Sequence, residues 1–157
     1  MATSGLLLMA RSPAVQRSLG HAFAQGQIHK RYVAVVHGHM AAAPGEGWAE
    51  IDLPVGADWP NRPRQKVDPT HGKPSRTRWH LLAREGAHSR VLLEPLTGRT
   101  HQLRVHLQAV GHAIVGDALY APDGGAASPR LLLHACTLEL THPVTGQMLR
   151  LHDPAPF

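Results

Sequence analysis

The sequence predicts a single mixed, strand-rich α+β domain. Only two stretches repeat apolar residues at helical spacing, "SPAVQRSLGHAFAQGQ" and "RTHQLRVHLQAVGH". The other apolar runs are short, rich in Val, Ile and Leu, and bounded by Gly, Pro or turn residues, as strands are. The chain has 157 residues and is 43% hydrophobic, which suits one domain with its own core. No internal repeat, low-complexity tract or linker interrupts it.

In chain order, Thr3, Ser4 and Gly5 signal a turn, and Leu6 to Ala10 reads as a buried strand. Ser12 is placed to cap a helix, and Pro13 suits its first position. Val15, Leu19, Ala22 and Phe23 form the helix's apolar spacing, and Gly26 is its stop. "IHKRYVAVVHG" is a β-branched strand ending at Gly38, "MAAAPGEG" a loop, and "WAEIDLPV" an alternating strand. "GADWPNRPRQKVDPTHGKPSR" is a long exposed loop with room for a short hairpin; long loops on compact domains often carry function. "TRWHLLAR" and "SRVLLEPLTG" pair as strands. A turn at Gly98 leads into a second helix, with Leu103, Leu107 and Val110 as its stripe and Gly111 as its end. "AIVGDALYAPDGGAASPR" is loop, and "LLLHACTLEL" and "QMLRLHDP" are strands joined by "THPVTG".

Lys and Arg outnumber Asp and Glu by 16 to 11. The excess is concentrated: Arg62, Arg64, Lys66, Lys73, Arg76, Arg78 and Arg84 are opposed over that span by Asp68 alone. A local basic cluster points to phosphate contact better than net charge does. Cys136 is the sole cysteine, so no intrachain disulfide forms, which fits a reducing, cytoplasmic compartment. No apolar run approaches the ~20 residues of a membrane span.

The densest stretch is "LTGRTHQLRVHLQAVGHAIVGDALYAP", residues 96–122. It presents Arg104 from a helix's polar side, a rigid, permanently charged fork suited to carboxylate or phosphate. Taken alone, Arg104 reads equally as a surface arginine. The thirteen histidines raise the question of metal, but His101 and His106 are five apart and fit no ligand pattern. No metal site and no cofactor is expected, and these two histidines are expected to hydrogen-bond around the turn.

The whole string resembles the RluA family of pseudouridine synthases, the uridine isomerases of ribosomal and transfer RNA. "TSGLLLMARSPAVQRSLGHAF", "IHKRYVAVVHG" and "RLLLHACTLELTHPVTG" agree with that family in order and spacing, and the loop "DWPNRPRQKV" with "GKP" narrows the match to its dual rRNA and tRNA subgroup. The resemblance implies a mainly antiparallel catalytic domain across residues 1–157, needing no cofactor. It implies a structured RNA stem-loop as partner, no membrane, and a monomer. It makes Tyr32 the residue that stacks on a flipped base and Arg104 the partner of the catalytic aspartate. Leu133, or Leu132, becomes the apolar wall beneath the base. Lys30, Arg31, Trp59, Arg62, Arg64, Lys66, Lys73, Arg99 and His101 become RNA contacts. The family motif reads His-Arg-Leu-Asp, a few residues, then Thr-Ser-Gly. Met1-Ala2 fills that gap here, so the aspartate is expected one residue ahead of Met1, leaving Arg104 without its partner. The alternative is an inactive RNA-binding fragment or pseudoenzyme of the same fold. A partial domain is also expected to expose a strand edge and apolar surface.

Overall fold

The structure, a computed structural model, describes residues 3–157. Its centre is one sheet of β1 (Ser4–Gly5), β2 (His29–His37), β3 (Ala49–Asp52), β6 (Arg76–Glu85), β7 (His88–Pro95), β8 (Leu133–Thr141) and β9 (Met148–His152). The strand order is β1-β8-β2-β7-β6-β3, with β9 also on β8. Every pair is antiparallel except β1 with β8. A second, two-stranded sheet of β4 (Val55–Ala57) and β5 (Gln65–Val67) lies inside the long basic loop. The mixed, strand-rich α+β architecture is therefore as the sequence predicts.

Helix α1 (Pro13–Ala24) begins where its residues require: the Ser12 hydroxyl accepts from the Val15 amide, and Pro13 follows. Helix α2 (Gln102–Ala109) follows the turn after β7. In antiparallel strands, directly opposed residues share a face. Tyr32 opposes Leu93 and Ala135, Ala34 opposes Val91 and Leu133, and Lys30 opposes Leu138. Leu103 and Leu107 of α2 join Ala34, Val36, Val91, Leu93 and Leu133 in the main core. Leu19 of α1, with Val15 and Ala22, packs on Leu138 and Leu140. Both helices thus cover the same sheet face at separate places, and a trough remains between them, floored by β2 and β8. Each fully buried Leu there contributes roughly 1.5–3 kcal/mol.

Several expectations change in three dimensions. The strand expected over Leu6–Ala10 is instead Ser4–Gly5. Gly5 has φ 97° and lies against the Ala135 backbone, closer than any Cβ would permit. The Leu6 amide still donates to Ala135 O at 3.0 Å, and then the chain leaves the sheet. Leu6 and Leu8 pack toward α1 while Leu7 and Met9 are exposed. "WAEIDLPV" is split between β3 and β4 at Leu53-Pro54. Val110 lies past the helix end and is exposed, whereas Val105 and His106 are buried. The β4–β5 hairpin explains this, since Val55 and Val67 close over Val105 with Tyr120.

Gly116 is a test of the long loop's path. Its φ is 76°, and a Cβ there would run into the Arg130 carbonyl. Gly124 has φ 62° with open space around it. Gly124→Ala is expected to cost about 1–2 kcal/mol from the left-handed backbone alone. Gly116→Ala is expected to cost clearly more, read as the difference in urea midpoints.

Candidate functional site

The trough holds a cleft of about 470 Å³. Lys30 and Tyr32 enter it from β2, Leu133 from β8, and Thr97, Gly98, Arg99 and His101 from the turn after β7. Arg104 enters from the first turn of α2, and Thr3 from the chain's beginning. Tyr32, Arg104, Leu133, Lys30, Arg99 and His101, which the sequence singled out from separate stretches, therefore meet in one place. Leu132 is not among the lining residues.

A buried polar chain fixes the turn. The Arg76 amide donates to Thr97 Oγ1, whose hydroxyl donates to Gln102 Oε1 at 2.7 Å. Gln102 Nε2 donates to Arg76 O and to Thr77 Oγ1. Thr77 Oγ1 lies 2.9 Å from His106 Nδ1, and His106 Nε2 lies 2.9 Å from Leu53 O. Leu53 O only accepts, so Nε2 carries the proton, Nδ1 accepts, and the Thr77 hydroxyl donates to it. Every polar group in this chain has a partner, so the network rigidifies the turn at no cost in unmet hydrogen bonds. It also accounts for both imidazole nitrogens of His106, leaving none for a metal. Among the described residues, no group of three His, Cys, Asp or Glu side chains is arranged to hold a metal ion.

Arg104 has a carboxylate partner that the sequence reading did not single out, Asp117. Its Nε and Nη2 donate to the two oxygens of Asp117 at 2.8 and 2.7 Å, a bidentate pair. Asp117 is fully buried and also accepts from the Leu119 and Tyr120 amides. The Tyr120 ring lies 4.9 Å beneath the guanidinium. Its hydroxyl accepts from the Gln65 amide at 2.8 Å and shares a 2.8 Å hydrogen bond with His101 Nδ1. Burial, then the nearby Arg104 charge, holds His101 below the usual imidazole range. Burial, helped by Cys136, pushes the Tyr32 phenol up, so it stays protonated at neutral pH. Burial pulls the Lys30 ammonium down. Among the described residues the cleft lining contains no carboxylate.

The remaining basic candidates lie elsewhere. Trp59 is 67% exposed at the hairpin tip, with the Arg62 guanidinium 3.8 Å over its ring. Arg64 donates to Leu119 O and faces Tyr120, and Lys66 lies 3.9 Å from Asp68. Lys73 is exposed and joined to Val55 by paired backbone hydrogen bonds. Arg99, on the cleft's rim, reaches Pro74 O at 3.4 Å and so faces this loop. Arg31 alternates to the reverse face of the sheet, 5.7 Å from the Trp48 ring, and does not line the cleft. The gap filled by Met1-Ala2 lies outside the described residues. The one signal in the sequence for Asp117 is that it is the sole acidic residue between Glu94 and Asp123, within the densest stretch. Gln102, Thr77 and Thr97 carry no sequence signal beyond being polar at buried positions.

A family model described as RNA pseudouridylate synthase matches residues 1–109. The chain belongs to that family, the isomerases that act on RNA. Among its relatives is the dual-specificity RNA pseudouridine synthase RluA of Escherichia coli (strain K12), 46% identical over 159 residues. That alignment covers 100% of this chain and 71% of the relative. The Haemophilus influenzae protein of the same name is 43% identical over the same span. The solved structure of human RNA pseudouridylate synthase domain containing 1 superposes with a TM-score of 0.80 at 33% identity, over 99% of this chain and 66% of that one. Human RNA pseudouridylate synthase domain containing 4, at 21% identity and a TM-score of 0.67, shares the fold.

Two outcomes follow from the site's chemistry. Asp117→Ala leaves Arg104 and two amides unpaired and is expected to cost about 3–5 kcal/mol in urea unfolding. His101 and His106 are both held below the ordinary imidazole value, burial being the larger cause. Below about pH 6.5 the unfolded chain takes up protons that these folded imidazoles refuse. Their contribution to stability is thus present above that pH and is lost as pH falls toward their folded values. The urea midpoint should fall between pH 7 and 5, and more shallowly in His106→Gln. Equal slopes would count against the neutral, buried imidazole.

Proposed function

We propose that residues 1–157 form the catalytic part of a pseudouridine synthase that flips a uridine of structured RNA into the cleft between α1 and α2. The observation that carries this is the convergence of Tyr32, Arg104 and Leu133, from three distant stretches, on one hollow. A base inside an RNA helix is out of reach, so the nucleotide must be extruded into a pocket. There the bond from C1′ to N1 breaks, the base turns, and C1′ bonds to C5. The C5 proton leaves and N1 ends protonated, so the product is an isomer and neither oxidant nor reductant is consumed.

The residues divide the work. Leu133 is the apolar wall beneath the base. Tyr32, protonated at neutral pH, stacks on the base and assists proton transfer at C5. Asp117 clamps two nitrogens of Arg104, which leaves Nη1 to orient a further carboxylate, the nucleophile or stabiliser at the sugar. The family resemblance puts that carboxylate just ahead of Met1. Lys30, Arg99 and His101 contact the flipped nucleotide, and Trp59, Arg62, Arg64, Lys66 and Lys73 grip the stem-loop. Arg31 would reach RNA only from the reverse face. The relatives' dual specificity supports rRNA and tRNA stem-loops as substrates. No described helix is long and apolar enough to cross a membrane, and a cytoplasmic monomer fits the family resemblance.

The test measures tritium released from C5-labelled uridine in rRNA and tRNA transcripts. The 157-residue chain is compared with a chain in which His-Arg-Leu-Asp precedes Met1. Release by the extended chain, with RNA binding alone by the shorter one, is the expected result. Binding without release by either supports the pseudoenzyme reading. In the active form Tyr32→Leu should lower turnover about 100-fold or more, the scale of a lost proton-transfer group. Replacing Arg62, Arg64 and Lys66 together with Ala should flatten the salt dependence of RNA affinity, reducing its log–log slope by roughly 2 to 3.

A further inference from the structure

A second hollow, of about 530 Å³, opens between the end of α1 and the Pro95–Arg99 turn. It shares Lys30, Thr97, Gly98 and Arg99 with the uridine cleft, so the two are compartments of one trough. A third, of about 250 Å³, meets both at Lys30. Lys30 therefore stands where all three join. It is half-buried, and among the described residues its ammonium has no carboxylate within 4.0 Å. The Phe23 ring lies 5.1 Å from it.

Phe23 is the unexplained residue here. It is one of only two phenylalanines in the chain, yet it is 41% exposed. Among the described residues it belongs to none of the apolar clusters, including the one that α1 builds from Leu19, Val15 and Ala22. It lines both the second and the third hollows. The second hollow also carries His29, Lys30 and Arg99, against Glu94 as its one carboxylate. An exposed ring beside an unpaired cation, continuous with a base-sized cleft, matches the stacking-platform and charged-groove chemistry of single-stranded nucleic acid sites.

We propose that the second hollow is the subsite for the nucleotide next to the flipped uridine, with Phe23 as its stacking platform and Lys30 as the clamp on the phosphate between the two. This rests on the RNA reading above and deepens it. Flipping one nucleotide unstacks its neighbour, and a ring at that place supplies a substitute stacking partner. The site reads a π-face and a phosphate, so it tolerates any base there.

The test uses RNA stem-loops with a uridine-rich loop, in which 2-aminopurine stands on the 5′ or the 3′ side of a loop uridine. Wild type is expected to quench the probe on one side, as stacking does. Phe23→Leu should abolish that quenching and weaken binding by roughly 5- to 150-fold, the range for one lost base–aromatic stack. Phe23→Tyr should restore both. Because Phe23 lies outside the clusters, Phe23→Leu should leave the urea midpoint unchanged. Lys30→Gln should flatten the salt dependence by about one phosphate's worth, and Lys30→Arg should not. Binding and quenching by Phe23→Leu equal to wild type would overturn the subsite while leaving the RNA reading intact. Wild type that fails to bind any of these stem-loops would overturn both.

Discussion

The buried pair of Arg104 and Asp117 is the constraint around which the functional face is built. Asp117 has no exposure to water, so its charge requires compensation on every side. Arg104 supplies two hydrogen bonds and the Leu119 and Tyr120 amides supply two more. Satisfying one carboxylate therefore ties α2 to the loop that follows it. It also seats Tyr120 beneath the guanidinium, and Tyr120 in turn holds His101 and the Gln65 amide. That phenol is one link between the basic hairpin β4–β5 and the cleft, beside Arg64 on Leu119 O and the packing of Val55 and Val67 on Val105.

A second network holds the other side of the same turn. Thr97, Gln102, Thr77 and His106 pass hydrogen bonds from the β6 backbone into the middle of α2. Together the two sets immobilise the stretch from Thr97 to Arg104 from both directions. His101, with φ 54°, is the residue that carries the backbone strain between them. Such rigidity suits the proposed capture of an extruded base, because the pocket's shape exists before the nucleotide arrives.

The sheet separates two chemistries by alternation. Lys30 and Tyr32 look into the trough, and Arg31, between them in sequence, looks out beside Trp48 and Arg78. On β8 the partners of Arg31 and Tyr32 are Thr137 and Ala135, so Cys136 is an extra residue there, and this register shift sits next to the change of neighbours. The hairpin carries the exposed cations Arg62, Arg64 and Lys66, while the trough carries the half-buried Lys30 and Arg104 with the exposed Arg99 on its rim. In the proposed function, affinity for a polyanion and handling of a single base fall to adjoining parts of one surface.

Much was legible from residue order because it depends on local rules. Ser12-Pro13 begins α1, Gly38 ends β2, and the β-branched run of His29–His37 makes a strand, each for reasons contained within a few residues. The run of short strands and two helices sufficed for the fold class, and the resemblance to the RluA family pointed to Tyr32, Arg104 and Leu133, which line one cleft. What the sequence could not disclose were the partners. Asp117 lies thirteen residues from Arg104, and nothing local distinguishes a buried acid from a surface one. The end of β1 at Gly5, the covering of Val105 and His106 by the hairpin and the unburied Phe23 all depend on contacts between remote segments. By itself the sequence determined the elements, the family and the candidates for chemistry. Only the tertiary structure decided which charges are paired, which face each strand residue meets and where hollows remain, because those follow from burial, and burial exists only once the chain has closed on itself.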